Sequence, residues 1–346
     1  MRVNSVIEEE RPLINCRLIP EARLPNLATP PEGALVDHLS RLPVSDEPLS
    51  PMSPLAAGQP NITAYQKDRE TRIMSILNVT PDSFSDGGKN FNNDEATLAE
   101  TIRSHISAGA TILDIGGQST RPGAVQVSAE EELDRILPAV HLIKRLPEAK
   151  TIAISIDTYR ADVAEESIKA GAHIINDVSA GLMDDNMLPT MGKLGCTVCL
   201  MHMRGTPETM SKLTSYPDGV IESVGRELLE RVRAAEAAGV RRWRIILDPG
   251  IGFAKTQEQN LELLRRLDEL VQFPGLQGFP WLVGTSRKAF IGKITGVQEA
   301  KDRTWGTAAA IAAAIKGGSD IVRVHDVAEM TQVAKMADAI WRVKKP

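Results

Sequence analysis

Polar side chains able to do chemistry recur where short apolar runs end: Asn78, Asp114, Asp157, Asn176, His202, Asp248 and the pair Arg323/His325. One such residue would cap a helix or bond a neighbouring loop. Their recurrence along the chain points to a shared site. Carboxylates beside an amide suit a flat heterocycle that presents adjacent amino and ring N–H donors next to a carbonyl. Pterin and guanine edges both offer that pattern. Positive charge gathers late, in Ser286-Arg287-Lys288 and Arg323-Val324-His325. Arg323 and His325 lie two apart on an extended segment and so face one side. The chain has a formal net charge of −5. That argues against a general nucleic-acid footprint and suggests that these cations are set out for a local anion.

Two polar loops stand beside these positions, Val79–Gly88 and Gly116–Gly123. Glycine and proline at the ends of the second suggest a lid with hinges. Arg121 within it keeps its charge and can fork onto phosphate oxygens.

Elements to carry these residues alternate from Arg72 onward. Strand-like runs cover Ile73–Asn78, Thr111–Ile115, Ile152–Asp157, His173–Asn176, Thr197–Met201, Trp243–Asp248, Trp281–Thr285 and Asp320–Val324. Helical patterns between them cover Glu95–Ser107, Ala129–Arg145, Arg160–Ala170, Gly219–Ala238, Gln257–Leu270, Arg303–Lys316 and Val327–Val343. Alternation of this kind implies crossovers and a parallel sheet. Ala108-Gly109, Ala170-Gly171, Ala238-Gly239 and Gly317-Gly318 each precede a strand, where glycine supplies a left-handed turn. Eight βα units predict an α/β fold, a (β/α)8 TIM barrel with strand ends converging on the catalytic face. An open doubly wound sheet is the alternative. The small-residue run Ala308–Ile315 is barrel packing or a close-packed subunit face.

Residues 1–71 differ in texture. Prolines recur from Pro12 to Pro60 and leave no long helix. The segment reads as a linker or N-terminal extension ahead of a barrel domain over 72–346. The N-terminus carries Glu8-Glu9-Glu10 and no apolar core, unlike a signal peptide, and no run reaches membrane-helix length. A cytoplasmic protein is expected, mitochondrial if an upstream region carries targeting. Cys196 and Cys199 have metal-like spacing, but on a strand they face opposite sides, so buried thiols are expected.

The motifs Asn78–Gly88, Asp114–Gly123 and Met201–Pro207 strongly resemble dihydropteroate synthase, a resemblance extended by Asp248–Phe253, Ser286-Arg287-Lys288 and Arg323-Val324-His325. It covers Ile73 to the C-terminus in the family's motif order. It implies a transferase that condenses 7,8-dihydropterin-6-ylmethyl diphosphate with 4-aminobenzoate, releasing diphosphate and giving 7,8-dihydropteroate for folate biosynthesis. Mg2+, inhibition by sulfonamides and a homodimer are implied with it. Carried over by motif position, Asp157, Asn176, Asp248 and Lys288 hold the pterin. Asn78, Arg323 and His325 hold the diphosphate, with Asn78 as the Mg2+ ligand. Thr120 and Arg121 complete the aminobenzoate site, and Asp86 lies on the other lid. Catalytic roles fall to Asp86, Thr120, Arg121, Lys288, Arg323 and His325, with C–O cleavage ahead of amine attack.

Two departures stand out: Gln118 where many relatives carry glutamate, and Ala289 where serine is frequent. The proline-rich start resembles the linker that follows a pterin pyrophosphokinase in fungal and plant fused enzymes. A pterin-binding methyltransferase barrel and a non-catalytic pterin-binding scaffold are the competing readings.

Overall fold

The computed structural model describes residues 69–80, 95–118 and 126–342, all within one compact unit, Leu49–Pro346. Its strands are β1 (Arg72–Asn78), β2 (Ile112–Gly116), β3 (Ala153–Asp157), β4 (Ile174–Asp177), β5 (Thr197–Met201), β6 (Ile245–Asp248), β7 (Leu282–Val283) and β8 (Ile321–Val324). They pair in parallel in the order β6-β5-β4-β3-β2-β1-β8-β7. A parallel bridge between Leu247 and Trp281 joins β6 to the residue before β7 and closes the sheet into a barrel. The expected (β/α)8 TIM barrel is therefore present.

The strands are apolar on both faces because both are covered. Pointing inward, one residue from each strand forms a sealed layer: Met74, Ile112, Ala153, Ile174, Cys199, Ile246, Leu282 and Ile321. Outward residues such as Leu113, Ile154, Ile175, Leu200 and Val322 join the larger core beneath the helices. Cys199 faces in, whereas Cys196 packs against that outer core. Burial pushes both thiols up, Cys196 to about 11. Side chains alternate with a period of two along a strand. Two residues beyond the sealed layer, the same inward direction is taken by Ile76, Asp114, Ser155, Asn176, Met201, Asp248 and Arg323. The barrel interior thus changes from apolar to polar within one step.

The helices are α1 (Glu95–Ser107), α2 (Ala129–Arg145), α3 (Ala161–Ala170), α4 (Met187–Leu194), α5 (Val220–Ala237), α6 (Gln257–Arg265), α7 (Leu267–Val271), α8 (Ala289–Thr295), α9 (Thr304–Lys316) and α10 (Val327–Trp341). Ser128 caps α2 by accepting from the Glu131 N–H, with Glu130–Glu132 in the first turn and Lys144 and Arg145 in the last. The glycines expected to turn the chain back do so, with φ of +108° at Gly109, +112° at Gly171, +96° at Gly239 and +110° at Gly318.

Three helical details differ from the sequence reading, one being that α8 (Ala289–Thr295) was not expected as a helix. Gln257–Leu270 is not one helix: it breaks at Arg266 (φ −115°, ψ 27°). The break lets Leu263 and Leu264, then Leu267, Leu270 and Val271, all face the core. Helix α4 gave little periodic signal, since Pro189 and Gly192 lie inside it. Gly192 is required there, because a Cβ would sit 2.0 Å from the Ala238 carbonyl oxygen.

The barrel base is tied by Arg342, which is 8% exposed. It donates to Thr71 Oγ1 at 2.6 Å and to the Ser319 carbonyl, and pairs with Asp338 Oδ1 at 3.1 Å. Arg342→Ala is expected to lower unfolding free energy by about 3 kcal/mol, since it leaves buried partners unpaired. Urea denaturation reads this directly. Activity per folded molecule should stay unchanged, because the opposite end of the barrel is untouched.

Candidate active site

The polar layer at the C-terminal ends of the strands is organised by Arg323 from β8. Its Nε donates to Asp114 Oδ2 at 2.6 Å and its Nη2 to Asp157 Oδ2 at 2.5 Å. Asn176 Nδ2 donates to the same Asp114 oxygen at 3.1 Å. Burial opposes the Arg323 charge, but Asp114 and Asp157 outweigh it and hold the guanidinium more firmly protonated than usual. Burial pushes Asp157 up to about 7 despite the pull of Arg323. Asp114 Oδ1, Asp157 Oδ1 and Ser155 Oγ are buried without a hydrogen-bond partner. Orphaned buried acceptors are costly, and together they suit a ligand bearing N–H donors.

The second half of the site is the loop after β6. Asp248 Oδ1 accepts from the Gly250 N–H at 2.7 Å. Burial pushes this carboxyl up, against the attraction of Lys288. Lys288 donates to the Ile251 carbonyl and lies 4.8 Å from the centre of the Phe253 ring. Burial pulls its ammonium down to about 8. Gly252 leaves room for this side chain, since a Cβ there would lie 3.0 Å from Lys288 Cδ.

His325 follows β8 and is fixed by Ser286, whose Oγ accepts from the His325 N–H at 3.1 Å and lies 3.0 Å from Nδ1. Arg287, grouped with the late cations in the sequence, is instead turned onto Asp326 at 2.5 Å. Asn78 ends β1 beside Gly116, where an added Cβ would come within 3.4 Å of its Oδ1 and 3.8 Å of Asp157 Cβ. Asn78 and Asp157 therefore flank one small-residue gap at the rim.

The structure thus brings Asp114, Asp157, Asn176, Asp248, Lys288 and Arg323 into one mouth, with Asn78 and His325 at its edge. Asp86, Thr120 and Arg121 lie outside the described residues. His202 ends a strand like the others, yet its ring turns away: Nε2 lies 3.0 Å from Glu227 Oε2 and Nδ1 2.9 Å from Lys255 Nζ. Ser155 was overlooked, although its place two residues before Asp157 gives it the same inward face. Gln118 Oε1 accepts from Arg160 at 2.5 Å while its Nε2 donates to Tyr159 Oη at 2.8 Å. Arg160 already pairs with buried Glu132. A neutral amide at 118 therefore bridges two partners where a carboxylate would add a second negative charge.

Among the described residues no group of three His, Cys, Asp or Glu side chains could hold a metal ion. This donor set fits Mg2+ of the kind that keeps several waters and takes most of its other ligands from substrate phosphates. The Asn78 amide oxygen is a suitable hard donor for such an ion.

Residues 74–325 match the family model described as "Pterin binding enzyme". Folic acid synthesis protein fol1 of Pneumocystis carinii is 51% identical over 273 residues, which cover 79% of this chain and 36% of that protein. The chain thus spans about a third of the fungal relatives' length. Dihydropteroate synthase of Synechocystis is 48% identical, over 84% of this chain and 96% of that one. The solved Xanthomonas albilineans dihydropteroate synthase with 4-aminobenzoic acid superposes with a TM-score of 0.71 at 40% identity, covering 80% of this chain and 95% of that one.

Proposed function

We propose, since this chain belongs to the dihydropteroate synthase family of pterin-binding enzymes, that it condenses 7,8-dihydropterin-6-ylmethyl diphosphate with 4-aminobenzoate to give 7,8-dihydropteroate and diphosphate in folate biosynthesis. The observation that carries this reading is the set of orphaned acceptors, Asp114 Oδ1, Asp157 Oδ1 and Ser155 Oγ, around Arg323. Asp157 and Asp248 accept the amino and ring N–H groups of the pterin. Asn176 spends its Nδ2 on Asp114, which leaves its oxygen as the acceptor offered to the ring. Lys288 supplies a donor for the ring carbonyl.

Arg323 and His325 receive the diphosphate, and Arg323 must share its guanidinium between that anion and the two carboxylates it holds in the free protein. Asn78, together with the diphosphate, would hold Mg2+, which when bound would supply charge neutralisation for the leaving group. Thr120, Arg121 and Asp86 act from the two loops on the aminobenzoate side. Sulfonamides, which mimic aminobenzoate, compete there. Cleavage of the C–O bond precedes amine attack, because the pterin ring spreads the positive charge of its methylene. Absence of labelled-diphosphate exchange into the pterin substrate without aminobenzoate would refute that order.

The barrel domain is taken as 72–346, with 1–71 as a linker or N-terminal extension of the kind joining a pterin pyrophosphokinase in fused enzymes; the last of these residues, Thr71, bonds Arg342 at the barrel base. The chain works with, or is fused to, such a kinase, in the cytoplasm or in mitochondria. A homodimer is proposed, supported by apolar side chains exposed on α9 and α10, Trp305, Met336 and Ile340; light scattering measures it. No helix among the described residues is long and apolar enough to cross a membrane.

The deciding experiment is diphosphate release by the purified chain given Mg2+, the pterin diphosphate and 4-aminobenzoate. Turnover abolished by EDTA supports the reading. Pterin binding without release moves the non-catalytic scaffold ahead.

A bell-shaped pH profile is expected as well. Below about 7 Asp157 is protonated and cannot accept two donors, and above about 8 Lys288 has lost its proton. The ratio kcat/KM for the pterin diphosphate reports the free enzyme, so it should rise through the first value and fall beyond the second. A profile flat from about pH 6 to about pH 9 would exclude these groups as the controlling pair.

A further inference from the structure

Lys255 is 9% exposed and stands at the end of the loop that leaves β6. Its Nζ donates to the Gly250 carbonyl at 3.0 Å and the Phe253 carbonyl at 2.9 Å, and lies 2.9 Å from His202 Nδ1. These are as many partners as an ammonium has protons. For Nδ1 to accept, His202 must carry its proton on Nε2, and that atom faces Glu227 Oε2 at 3.0 Å. Arg204 closes the row, with Nε 2.9 Å from the same oxygen. Burial draws the Lys255 ammonium down to about 7, opposed by Asp248, and burial keeps His202 neutral. Among the described residues no carboxylate pairs directly with Lys255. A buried cation held chiefly by backbone carbonyls needs a reason to be there.

The loop's shape supplies that reason. Positive φ recurs at alternate positions: +67° at Gly250, +85° at Gly252 and +49° at Ala254, where a side chain disfavours it. This path presents the Gly250 N–H to Asp248 and the Ile251 carbonyl to Lys288. It also presses Gly250 against the His202 carbonyl oxygen, which a Cβ would approach to 2.0 Å.

We propose that Lys255 is a positioning residue for pterin binding: by gripping the Gly250 and Phe253 carbonyls it fixes the loop that orients Asp248 and Lys288. His202, Glu227 and Arg204 hold Lys255 in turn. The inference rests on the pterin-binding reading of this mouth.

The test compares Lys255→Met with the parent and with Asp248→Asn, using calorimetric binding of the pterin diphosphate and steady-state kinetics. For Lys255→Met, Kd and KM for the pterin diphosphate should rise about tenfold, while KM for 4-aminobenzoate moves less than about twofold. A residue needed only for stability would lower Tm and leave both KM values alone, so folded Lys255→Met with parental pterin KM overturns the proposal. If Lys255→Met does not fold, His202→Gln removes one of the three partners and keeps both carbonyl grips. About threefold weaker pterin binding is then expected, and unchanged binding overturns the proposal. A parent that binds no pterin removes the functional reading itself. A parent that binds, with Asp248→Asn defective and Lys255→Met indifferent, removes only this inference.

Discussion

Arg323→Ala is expected to lose about a thousandfold in kcat/KM for the pterin diphosphate, the scale of deleting a transition-state donor from a water-poor site. Two effects act together. The anion loses its cation at the moment negative charge builds on the departing diphosphate. Asp114 and Asp157, now both contacted by this guanidinium, are left as buried carboxyls without the cation between them.

Stability should fall by about 3 kcal/mol near neutral pH. The sign of the pH dependence follows from Asp157, whose folded-state value already lies near 7, above its ordinary range. Without Arg323 the carboxyl holds its proton more tightly still. A group raised in this way favours the folded state at low pH and loses that contribution as pH rises through the folded value. The deficit of Arg323→Ala should therefore be larger at about pH 8 than at about pH 5. Chemical denaturation at the two pH values, beside the diphosphate-release assay, measures both effects. Activity within tenfold of the parent would place the leaving-group contact elsewhere.

Asp248→Asn is expected to weaken pterin diphosphate binding by about a hundred- to thousandfold, since it removes charge-assisted hydrogen bonds in a buried site. The amide matches the carboxylate in size, so no cavity forms. To keep its bond from the Gly250 N–H, now 2.7 Å, the amide must accept there and turn its NH2 toward the ligand. Donor then meets donor. Lys288 and Lys255 lose a nearby negative charge at the same time. KM for 4-aminobenzoate should hardly change, because that substrate meets the other loops. Calorimetry with the pterin diphosphate separates the two, and equal losses for both substrates would mean that the variant has lost its fold.

The family resemblance and the alternation of apolar runs were legible in the sequence because both are local. Short apolar strand runs, helices ended by Gly109, Gly171, Gly239 and Gly318, and polar groups at strand ends need only neighbouring residues to be recognised. Strand-end position alone placed Asp114, Asp157, Asn176 and Asp248 around one mouth. It also admitted His202, whose partner Lys255 lies 53 residues on and draws the ring away.

Partner choice was the part left to tertiary structure. Barrel closure sets β1 between β8 and β2, and so brings Arg323 onto carboxylates 209 and 166 residues earlier. The sequence marked Arg323 as a cation for an anion; the fold shows which protein anions hold it first. Helix α4 escaped notice for a related reason, since its Pro189 and Gly192 weaken the periodic signal while a distant carbonyl, that of Ala238, requires the glycine. Periodicity reports which face of an element is buried. Only the packed barrel decides what each buried polar group meets, because those contacts join residues that the chain itself keeps far apart.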